Sequence, residues 1–297
     1  MRTVILGAAG QLGRELQAIA PPGSVIAALS HQELDVTDER KVRDQILAHR
    51  PTLIINAAAY TAVDAAESDS ARAFAVNALG AANVAEGAKA ARARLVHIST
   101  DYVFDGSRRV PYPPEAEPNP LNVYGASKLA GERRVAEVLE GQEMILRASW
   151  LYSRYGRNFV KTMLRLFKER DQVSVVADQV GVPTWGKSLA AVVWAVGTAR
   201  HLHGIYHWTD GGVASWYEFA VAIYEEGRGL GLVDRSVEIR PVRTDEYPTA
   251  ARRPPYSVLD SERSMMELKM TPEYWRSALR QMLEEMLRDG RVSVDEQ

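Results

Sequence analysis

The chain has 297 residues, which is enough to bury a sizeable core as one large domain or as a domain with a smaller lobe. Its formal net charge is −2, so the composition gives no electrostatic reason to expect binding to nucleic acid or to an anionic membrane. It contains no cysteine, which excludes disulfides, thiolate nucleophiles and thiolate metal sites.

Neither the apolar stretches of the chain nor its opening residues indicate a membrane-spanning or secreted protein. The longest apolar stretch, residues 189–199, is shorter than the roughly 20 residues that a membrane-spanning helix needs. The chain start runs from a short apolar stretch straight into a glycine turn, without the pattern of a secretory signal. We therefore expect a cytoplasmic protein that acts on a small molecule.

The first half of the chain alternates between short apolar runs and helical patterns. Five runs rich in branched residues are predicted to be strands: residues 3–6, 24–29, 52–57, 94–99 and 143–149. Alanine-rich or amphipathic stretches of helical length lie between them: residues 11–20, 38–49, 71–91 and 123–139. Strand and helix in alternation predict an α/β fold with a Rossmann-type doubly wound parallel sheet.

After residue 150 the alternation loosens. Further elements are predicted in this order: a helix over 158–170, a strand over 173–176, a helix over 187–201, a strand at GIYHWT, a helix from 215 and a final amphipathic helix. We predict a dinucleotide-binding domain over residues 1–150, with a later contribution from about 186–210. Residues 151–297 are predicted to form mainly a smaller C-terminal α/β substrate lobe.

The stretch GAAGQLG, Gly7–Gly13, follows the first predicted strand and opens the first predicted helix. Glycines there permit a tight turn and let backbone N–H groups and the helix N-terminus approach a pyrophosphate. Because the pattern sits between a first strand and a first helix, it indicates a dinucleotide site that includes Gly7, Gly10 and Gly13.

The second predicted strand ends in ALSH, without a carboxylate to hold the adenosine ribose or to repel a 2′-phosphate. Ser30 and a protonated His31 are predicted to favour that phosphate, so NADPH is expected slightly ahead of NADH. Asp35 and Val36 are predicted to lie against the adenine, with Thr37 as the cap of the next helix. The alternative is that this segment only caps the helix.

Two later segments bring hydroxyl groups and a cation towards the same sheet edge. NAAAYTAVDAAE, from residue 56, has small side chains beside which a cofactor can lie, and STDYVFDG, from residue 99, is a hydroxyl-rich strand end. Tyr124 and Lys128 lie four residues apart and so share one helix face. A hydroxyl, a tyrosine and a lysine suit carbonyl reduction, since the cation lowers the pKa of the tyrosine that protonates the ketone.

One competing motif is GVPTWGKS, residues 181–188, which satisfies the pattern of a nucleotide-triphosphate loop. That loop works by presenting consecutive backbone N–H groups. Pro183 has none, and Trp185 is bulky where the backbone must wrap a phosphate. The phosphate-loop interpretation is therefore disfavoured.

Together these motifs resemble the extended short-chain dehydrogenase/reductase superfamily, and within it the dTDP-4-dehydrorhamnose reductase family. The resemblance covers nearly the whole chain, through these motifs in order: GxxGQLG, NAAAYTAVDxAE, STDYVFDG, NVYGxSKLAGE, RxSWLY, NFVKTMLRL, DQxGxPT and EYPTxAxRP. It implies reduction of the 4-keto group of dTDP-4-dehydro-L-rhamnose to dTDP-L-rhamnose by NADPH or NADH.

The resemblance also implies roles for individual residues. It implies dinucleotide contacts by Gly10, Gln11, Leu12, Asp35, Val36, Ala59, Tyr60 and Thr61. With the residues argued above, the predicted cofactor site also includes Gly7, Gly13, Ser30, Ala58, Tyr124 and Lys128. The implied catalytic residues are Thr100, Tyr124 and Lys128. The sugar nucleotide would meet Thr100, Asp101, Tyr124 and Trp150. Trp216, Tyr217 and the stretch GRNF, residues 156–159, are instead predicted to pack within the lobe.

Relatives with other functions remain as alternatives. Related dehydratases carry a glutamate where this chain has Tyr102, and epimerising reductases use a cysteine that is absent here. A non-catalytic relative is the beta subunit of methionine adenosyltransferase; the intact Tyr124, Lys128 and Trp150 favour the enzyme. Some family members bind Mg²⁺ at a dimer contact. Glu15 fits such a site but Lys187 does not, so metal binding and the choice between monomer and homodimer stay open.

Overall fold

The computed structural model describes residues 1–290; residues 291–297, the end of the predicted second lobe, lie outside the described residues. The strands are β1 (Arg2–Leu6), β2 (Val25–Leu29), β3 (Leu53–Asn56), β4 (Arg94–Thr100), β5 (Met144–Ala148), β6 (Leu151–Tyr152), β7 (Gln172–Val176), β8 (Val180–Gly181), β9 (Thr184–Trp185), β10 (Gly204–His207), β11 (Ala214–Ser215) and β12 (Glu238–Val242). The helices are α1 (Gln11–Ala18), α2 (Glu39–His49), α3 (Val63–Ala66), α4 (Ser70–Phe74), α5 (Gly80–Ala91), α6 (Val123–Leu139), α7 (Phe159–Glu169), α8 (Gly186–Thr198), α9 (Trp216–Gly229), α10 (Glu262–Leu268) and α11 (Trp275–Arg288).

A six-stranded parallel sheet forms the centre of the first part of the molecule, in the order β10-β5-β4-β3-β1-β2. Its inner strands are nearly continuous apolar runs because helices cover both faces. Helices α1 and α8 pack on one face, and α2, α5 and α6 pack on the other. The predicted Rossmann-type sheet is confirmed, and the strand order reverses between β1 and β3, where such sheets bind ligands.

A second apolar core holds together the elements that follow β5. Helices α7, α9 and α11 surround it with the parallel pair β7 and β12. Phe167, Phe219 and Met282 are among its fully buried side chains. Strand β10 and helix α8 come from this half of the chain but join the large sheet. None of the helices within residues 1–290 combines the length and apolarity needed to cross a bilayer.

The predicted helix over 71–91 is confirmed as a continuous helical stretch, with one difference. Its segment Ala75–Leu79, between α4 and α5, is a π-helical turn. Within it the Asn77 side chain accepts a hydrogen bond from the Tyr60 backbone N–H at 2.8 Å and donates to the Ser127 hydroxyl at 2.9 Å. Such wide turns are common at functional sites. Here the turn fixes the loop after β3 against α6.

Helix α6 begins and ends where the sequence predicts, and it is tightly fixed. The Asn122 side chain caps it by accepting from the Gly125 N–H at 2.8 Å. At the other side, the Glu132 carboxylate and the Arg147 guanidinium of β5 form a buried ion pair with an oxygen–nitrogen distance of 2.6 Å. Because an unpaired charge in this position would be costly, the pair holds α6 in one position on the sheet.

Residues 249–260, which we call the C-terminal strap, cross over the N-terminal end of α6. The Asn122 Nδ2 donates to the Arg252 carbonyl at 2.8 Å. Arg253 forms an ion pair with Asp64 of α3 at 2.6 Å. Short parallel bridges join the strap to the loop after β4 and to β8. The strap therefore connects the sheet, the start of α6 and the second core.

Candidate active site

A cavity of about 580 Å³ lies at the C-terminal ends of β1, β3, β4 and β5, against the start of the second half of the chain. Eleven predicted site residues line it: Gly10, Gln11, Leu12, Gly13, Ala59, Thr61, Thr100, Asp101, Tyr124, Lys128 and Trp150. Its position at the reversal of strand order is where ligands of open parallel sheets bind.

The glycine turn at the cavity is closely packed. Gly7 has a φ of +75°, and a Cβ there would lie 2.7 Å from the Ala57 backbone. A Cβ on Gly13 would lie 2.3 Å from the Gly7 carbonyl oxygen. Gly10 caps α1 without a side-chain hydrogen bond, so the first N–H groups of the helix stay available to a ligand. This arrangement fits the pyrophosphate of a dinucleotide.

The remaining predicted cofactor residues lie outside the cavity lining. Ala58 and Tyr60 lie in the loop after β3. The Ala58 backbone N–H donates to the Asn56 side chain, and the Tyr60 backbone N–H donates to the Asn77 side chain. Val36 is buried, and its Cγ2 would meet a Cβ on Gly80 at 2.6 Å. These residues shape the neighbouring loops around the lining residues.

The prediction that Thr37 caps the next helix is wrong. Asp38 caps α2, with its Oδ1 accepting from the Lys41 N–H at 3.0 Å. The Asp35 carboxylate instead accepts from the backbone N–H of Thr37 at 2.9 Å and from its hydroxyl at 2.8 Å. A carboxylate one residue closer to the helix competes better for its free N–H groups, which accounts for the shift.

The prediction that no carboxylate is available at the end of β2 is also wrong. The chain turns back after Ser30, and the Glu33 Oε2 accepts from both the Ser30 backbone N–H and the Ser30 hydroxyl, each at 2.7 Å. The predicted donor to a 2′-phosphate is thus already engaged by an acid. Both hydrogen bonds lower the pKa of Glu33.

Thr100, Tyr124 and Lys128 converge on the cavity from two neighbouring units of the fold. Thr100 ends β4, while Tyr124 and Lys128 lie on the first turns of α6. Burial raises the pKa of Tyr124 to about 12, and a hydrogen bond with the Thr100 hydroxyl acts against that rise. The expected lowering of the tyrosine pKa by the lysine is therefore absent from the protein alone. Lys128 Nζ donates instead to the Ile98 carbonyl at 2.6 Å.

Lys128 and Asp101 are both buried ionisable groups, and the pKa of each is shifted from its ordinary value. Burial lowers the pKa of Lys128 to about 8, and the negative charge of Glu132 limits that fall. Burial raises the pKa of Asp101 to about 7. The Thr100 Oγ1 donates to the Asp101 Oδ1 at 3.1 Å, so Thr100 connects the carboxyl with the tyrosine hydroxyl. Perturbed groups gathered in a cleft are typical of a catalytic site.

An aromatic wall, formed by Trp150 and Trp216, closes the cavity on the side of the second core. Their rings stack with centroids 3.6 Å apart and planes 6° from parallel. Trp150 has a φ of +44°, a region that favours glycine, and a Cβ on Gly181 would lie 2.5 Å from its ring. The exposed Arg157 lines the same cavity.

The prediction that Trp216 and GRNF serve lobe packing is therefore incomplete, because Gly156, Arg157, Phe159 and Trp216 also line the cavity. The sequence carries no local signal for this. The direction in which α9 presents its first residue depends on how the second core docks on the sheet.

The segment GVPTWGKS does not form a phosphate loop. It builds the end of β8, all of β9 and the start of α8. Trp185 is buried, and its backbone N–H donates to the Asp210 Oδ2 at 2.8 Å. An N–H that such a loop would offer to phosphate is therefore already bonded.

The surroundings of Glu15 do not fit a divalent cation. Glu15 is fully buried and accepts from the Ser153 hydroxyl at 2.6 Å. The nearby Glu285 is paired with Lys187 at 2.6 Å and with Arg154 at 3.2 Å, so two cations already neutralise the acids. Among residues 1–290 no cluster of three or more histidine or acidic side chains could hold a metal ion.

A glycine turn at the switch point of a parallel sheet, with a hydroxyl, a tyrosine and a lysine in the same cavity, defines the short-chain class of nicotinamide-dependent oxidoreductases. Comparisons with known proteins agree. Residues 1–288 match the family model described as the RmlD substrate binding domain. The chain belongs to this family, and it is an oxidoreductase.

Individual relatives resemble the chain over nearly its whole length. A dTDP-4-dehydrorhamnose reductase of Aggregatibacter actinomycetemcomitans is 40% identical, covering 94% of this chain and 97% of its own. A probable dTDP-4,6-dihydroxy-2-methyloxan-3-one 4-ketoreductase of Streptomyces antibioticus is 42% identical over 97% of this chain and 96% of its own. A crystal structure of the Bacillus anthracis dTDP-4-dehydrorhamnose reductase in complex with NADP superposes with a TM-score of 0.90 at 40% identity, covering 96% of this chain and 99% of that one. The resemblance inferred from the motifs is confirmed.

Proposed function

We propose that this chain reduces the 4-keto group of dTDP-4-dehydro-L-rhamnose to dTDP-L-rhamnose, using a reduced nicotinamide dinucleotide. The observation that carries the proposal is the convergence of Thr100, Tyr124 and Lys128 on the cavity that also contains the glycine turn. Relatives near 40% identity over almost the whole chain carry the same reductase name.

Tyr124 is the proton donor in this proposal. Its pKa of about 12 keeps the hydroxyl protonated at neutral pH, so the proton is present when it is needed. A bound reduced nicotinamide supplies a hydride, which forms the new C–H bond at C4. The carbonyl electron pair then takes the Tyr124 proton, giving the alcohol. In this proposal the Thr100 hydroxyl, next to that of Tyr124, turns its single proton from the Asp101 Oδ1 to the ketone oxygen and orients that oxygen by a hydrogen bond.

Lys128 is proposed to act on both the tyrosine and the cofactor. Its ammonium lines the cavity and, within residues 1–290, donates to the Ile98 carbonyl alone, which leaves two further N–H donors. One can hold the hydroxyls of the nicotinamide ribose. The positive charge favours the tyrosinate that forms after proton transfer.

The aromatic wall and Arg157 are proposed to recognise the nucleotide end of the substrate. Stacked indole rings offer a broad apolar surface to a flat base, and an exposed guanidinium suits a diphosphate. Asp101 and Trp150 lie between this end and Tyr124 in the lining, where the sugar ring would sit.

The direct test is oxidation of NADH and NADPH, followed by absorbance, against a panel of sugar nucleotides. The panel contains dTDP-4-dehydro-L-rhamnose, its D-gluco-configured 4-keto precursor and UDP-linked counterparts. Rapid turnover of the first substrate alone is expected. Faster turnover of another dTDP-linked 4-ketone would make that ketone the substrate instead, in line with the 4-ketoreductase name of the Streptomyces antibioticus relative. Dinucleotide binding without turnover of any ketone would favour a regulatory role.

A further inference from the structure

The loop after β6, residues 153–158, lies against α1, and we call it the α1-facing loop. Two side chains of α1, one turn apart on the same helix face, contact it. The Ser153 hydroxyl donates to the Glu15 carboxylate at 2.6 Å, and the Asn158 Nδ2 donates to the Gln11 Oε1 at 3.0 Å. Because Gln11 is the first residue of α1 and lines the cavity, the second contact lies at the cavity edge.

The orientation of the Asn158 amide follows from its partners. Its oxygen accepts from the Lys161 backbone N–H at 3.1 Å and so caps α7, which leaves the nitrogen to face Ser153 and Gln11. That nitrogen donates to the Ser153 carbonyl at 2.6 Å as well as to the Gln11 Oε1. With its oxygen held in this way, the Gln11 amide presents its nitrogen, a hydrogen-bond donor, on the side away from Asn158.

The α1-facing loop also carries residues of the substrate side of the cavity. Gly156 and Arg157 line the cavity, and Arg157 is the cation proposed above for the diphosphate of the sugar nucleotide. Gly156 has a φ of +62°, and a Cβ there would lie 3.2 Å from the Gln11 Cγ, so the loop backbone packs on the Gln11 side chain. Gln11 therefore lies between the glycine turn and the loop that carries Arg157.

We propose that the hydrogen bond between Asn158 and Gln11 couples the two ligand sites of the cavity, so that a bound dinucleotide raises the affinity for the nucleotide end of the sugar substrate. Asn158 lies behind the cavity lining and acts through Gln11 and the loop, so it is a positioning residue. The proposal rests on the proposed function only in requiring that a dinucleotide and a sugar nucleotide occupy this cavity.

The physical basis of the coupling is the ordering of one side chain and one loop. Gln11 is only partly buried, so its side chain keeps conformational freedom without a ligand. A pyrophosphate at the N-terminus of α1 accepts a hydrogen bond from the Gln11 amide nitrogen, which fixes the amide oxygen towards Asn158 and with it the loop. The second ligand then meets Arg157 on an ordered backbone and loses less conformational entropy on binding.

The test measures the dissociation constant of dTDP by calorimetric titration, with and without saturating NADH. The probe is dTDP because it lacks the sugar and reports the nucleotide end alone. In the wild type, NADH should tighten dTDP binding by about fivefold, and by linkage dTDP should tighten NADH binding by the same factor. In Asn158→Ser this coupling factor should fall to about one or less, since serine still caps α7 but has no amide nitrogen to donate to Gln11.

Two further variants separate the hydrogen bond from general effects on the loop. Thr162→Ala is the matched control, because the exposed Thr162 hydroxyl donates to the Asn158 carbonyl at 2.9 Å and its loss leaves the Asn158 amide untouched. Its coupling factor should equal that of the wild type. Gln11→Ala removes the other partner and should lose the coupling, and adding Asn158→Ser to it should change the factor no further.

Both ligands carry a diphosphate, and their mutual repulsion opposes the coupling. It is the same in all of these variants, since none changes the charge of the protein. A wild-type factor of one or less, a wild-type factor retained in either Asn158→Ser or Gln11→Ala, or an equal loss in Thr162→Ala overturns the proposal. If Asn158→Ser melts too low to be titrated, Gln11→Ala decides. Failure of NADH or dTDP to bind the wild type would overturn the proposed function as well, whereas two ligands that bind without coupling leave it standing.

Discussion

Tyr124 and Thr100 contact each other through their hydroxyls, and the effect of this pair can be measured separately from binding. Tyr124→Phe removes the proton donor but keeps the ring, so turnover should fall by about 10² or more. The dissociation constant for NADH should stay near that of the wild type. Turnover at the wild-type level in this variant would remove Tyr124 from the mechanism.

Lys128 predicts a pH dependence of cofactor binding. Its pKa of about 8 lies below the ordinary value of 10.5, so the ammonium is charged below about pH 8 and loses its proton above it. NADH affinity should therefore fall as the pH rises through 8, because a donor and a charge are lost. Titrations across this range measure the effect, and Lys128→Met should bind weakly with no such pH step. A step of the same size in Lys128→Met would assign it to another group.

Trp216 provides the test of the aromatic wall. Trp216→Ala should raise the KM for the sugar nucleotide by up to about tenfold, the scale of one aromatic stacking interaction. Trp216→Phe keeps a ring and should have a smaller effect. Steady-state kinetics and thermal melting are measured together. A large loss of melting temperature with unchanged kinetics would mean that the stack between Trp150 and Trp216 serves packing only.

At the scale of elements, the close approach of α6 to the π-helical turn is essential for placing Tyr124 and Lys128. A Cβ on Gly131 would lie 2.1 Å from the Asn77 carbonyl oxygen, so Gly131→Ala must push α6 away. We expect a loss of about 1–3 kcal/mol in the free energy of unfolding, with lower turnover. Gly229→Ala is the control, because a Cβ there meets nothing within 4 Å. Denaturant unfolding that affects both variants equally would contradict the packing argument.

The elements themselves were largely predictable from the sequence. The alternation of apolar runs and helical patterns predicted five of the six strands of the large sheet, and β10 lies in the stretch GIYHWT that was predicted after the alternation loosens. Helix α6 begins and ends at the predicted residues. The π-helical turn was not predicted, because it depends on Asn77 bonding to Tyr60 and Ser127, which are distant in sequence. For the same reason, the sequence did not predict that Glu33 returns to Ser30 or that Trp216 lines the cavity. A side chain that folds back on a turn, or that reaches a cavity through domain docking, leaves no periodic pattern.

At the scale of the whole molecule, the cavity joins the two apolar cores. Its lining comes from the glycine turn, from α6 and from the residues around Trp150 and Trp216. A ligand bound there at 100 times its dissociation constant should add about 2.7 kcal/mol to the free energy of unfolding. Calorimetry with NADH and the sugar nucleotide together should therefore show one transition at a higher temperature. Two transitions, only one of which shifts to a higher temperature when the ligands are added, would mean that the two cores unfold independently.

The C-terminal strap has a consequence for how the protein is made. Asn122 caps α6, but its side-chain nitrogen is held by the carbonyl of Arg252, which leaves the ribosome 130 residues later. The edge strand β10 of the large sheet, residues 204–207, is likewise synthesised long after the other five strands. Domains commonly fold in order from the N-terminus during translation. Here the dinucleotide-binding half is fully assembled only near the end of synthesis, so a nascent chain that stops before the strap carries Tyr124 and Lys128 on a helix whose capping residue Asn122 lacks one of its hydrogen bonds.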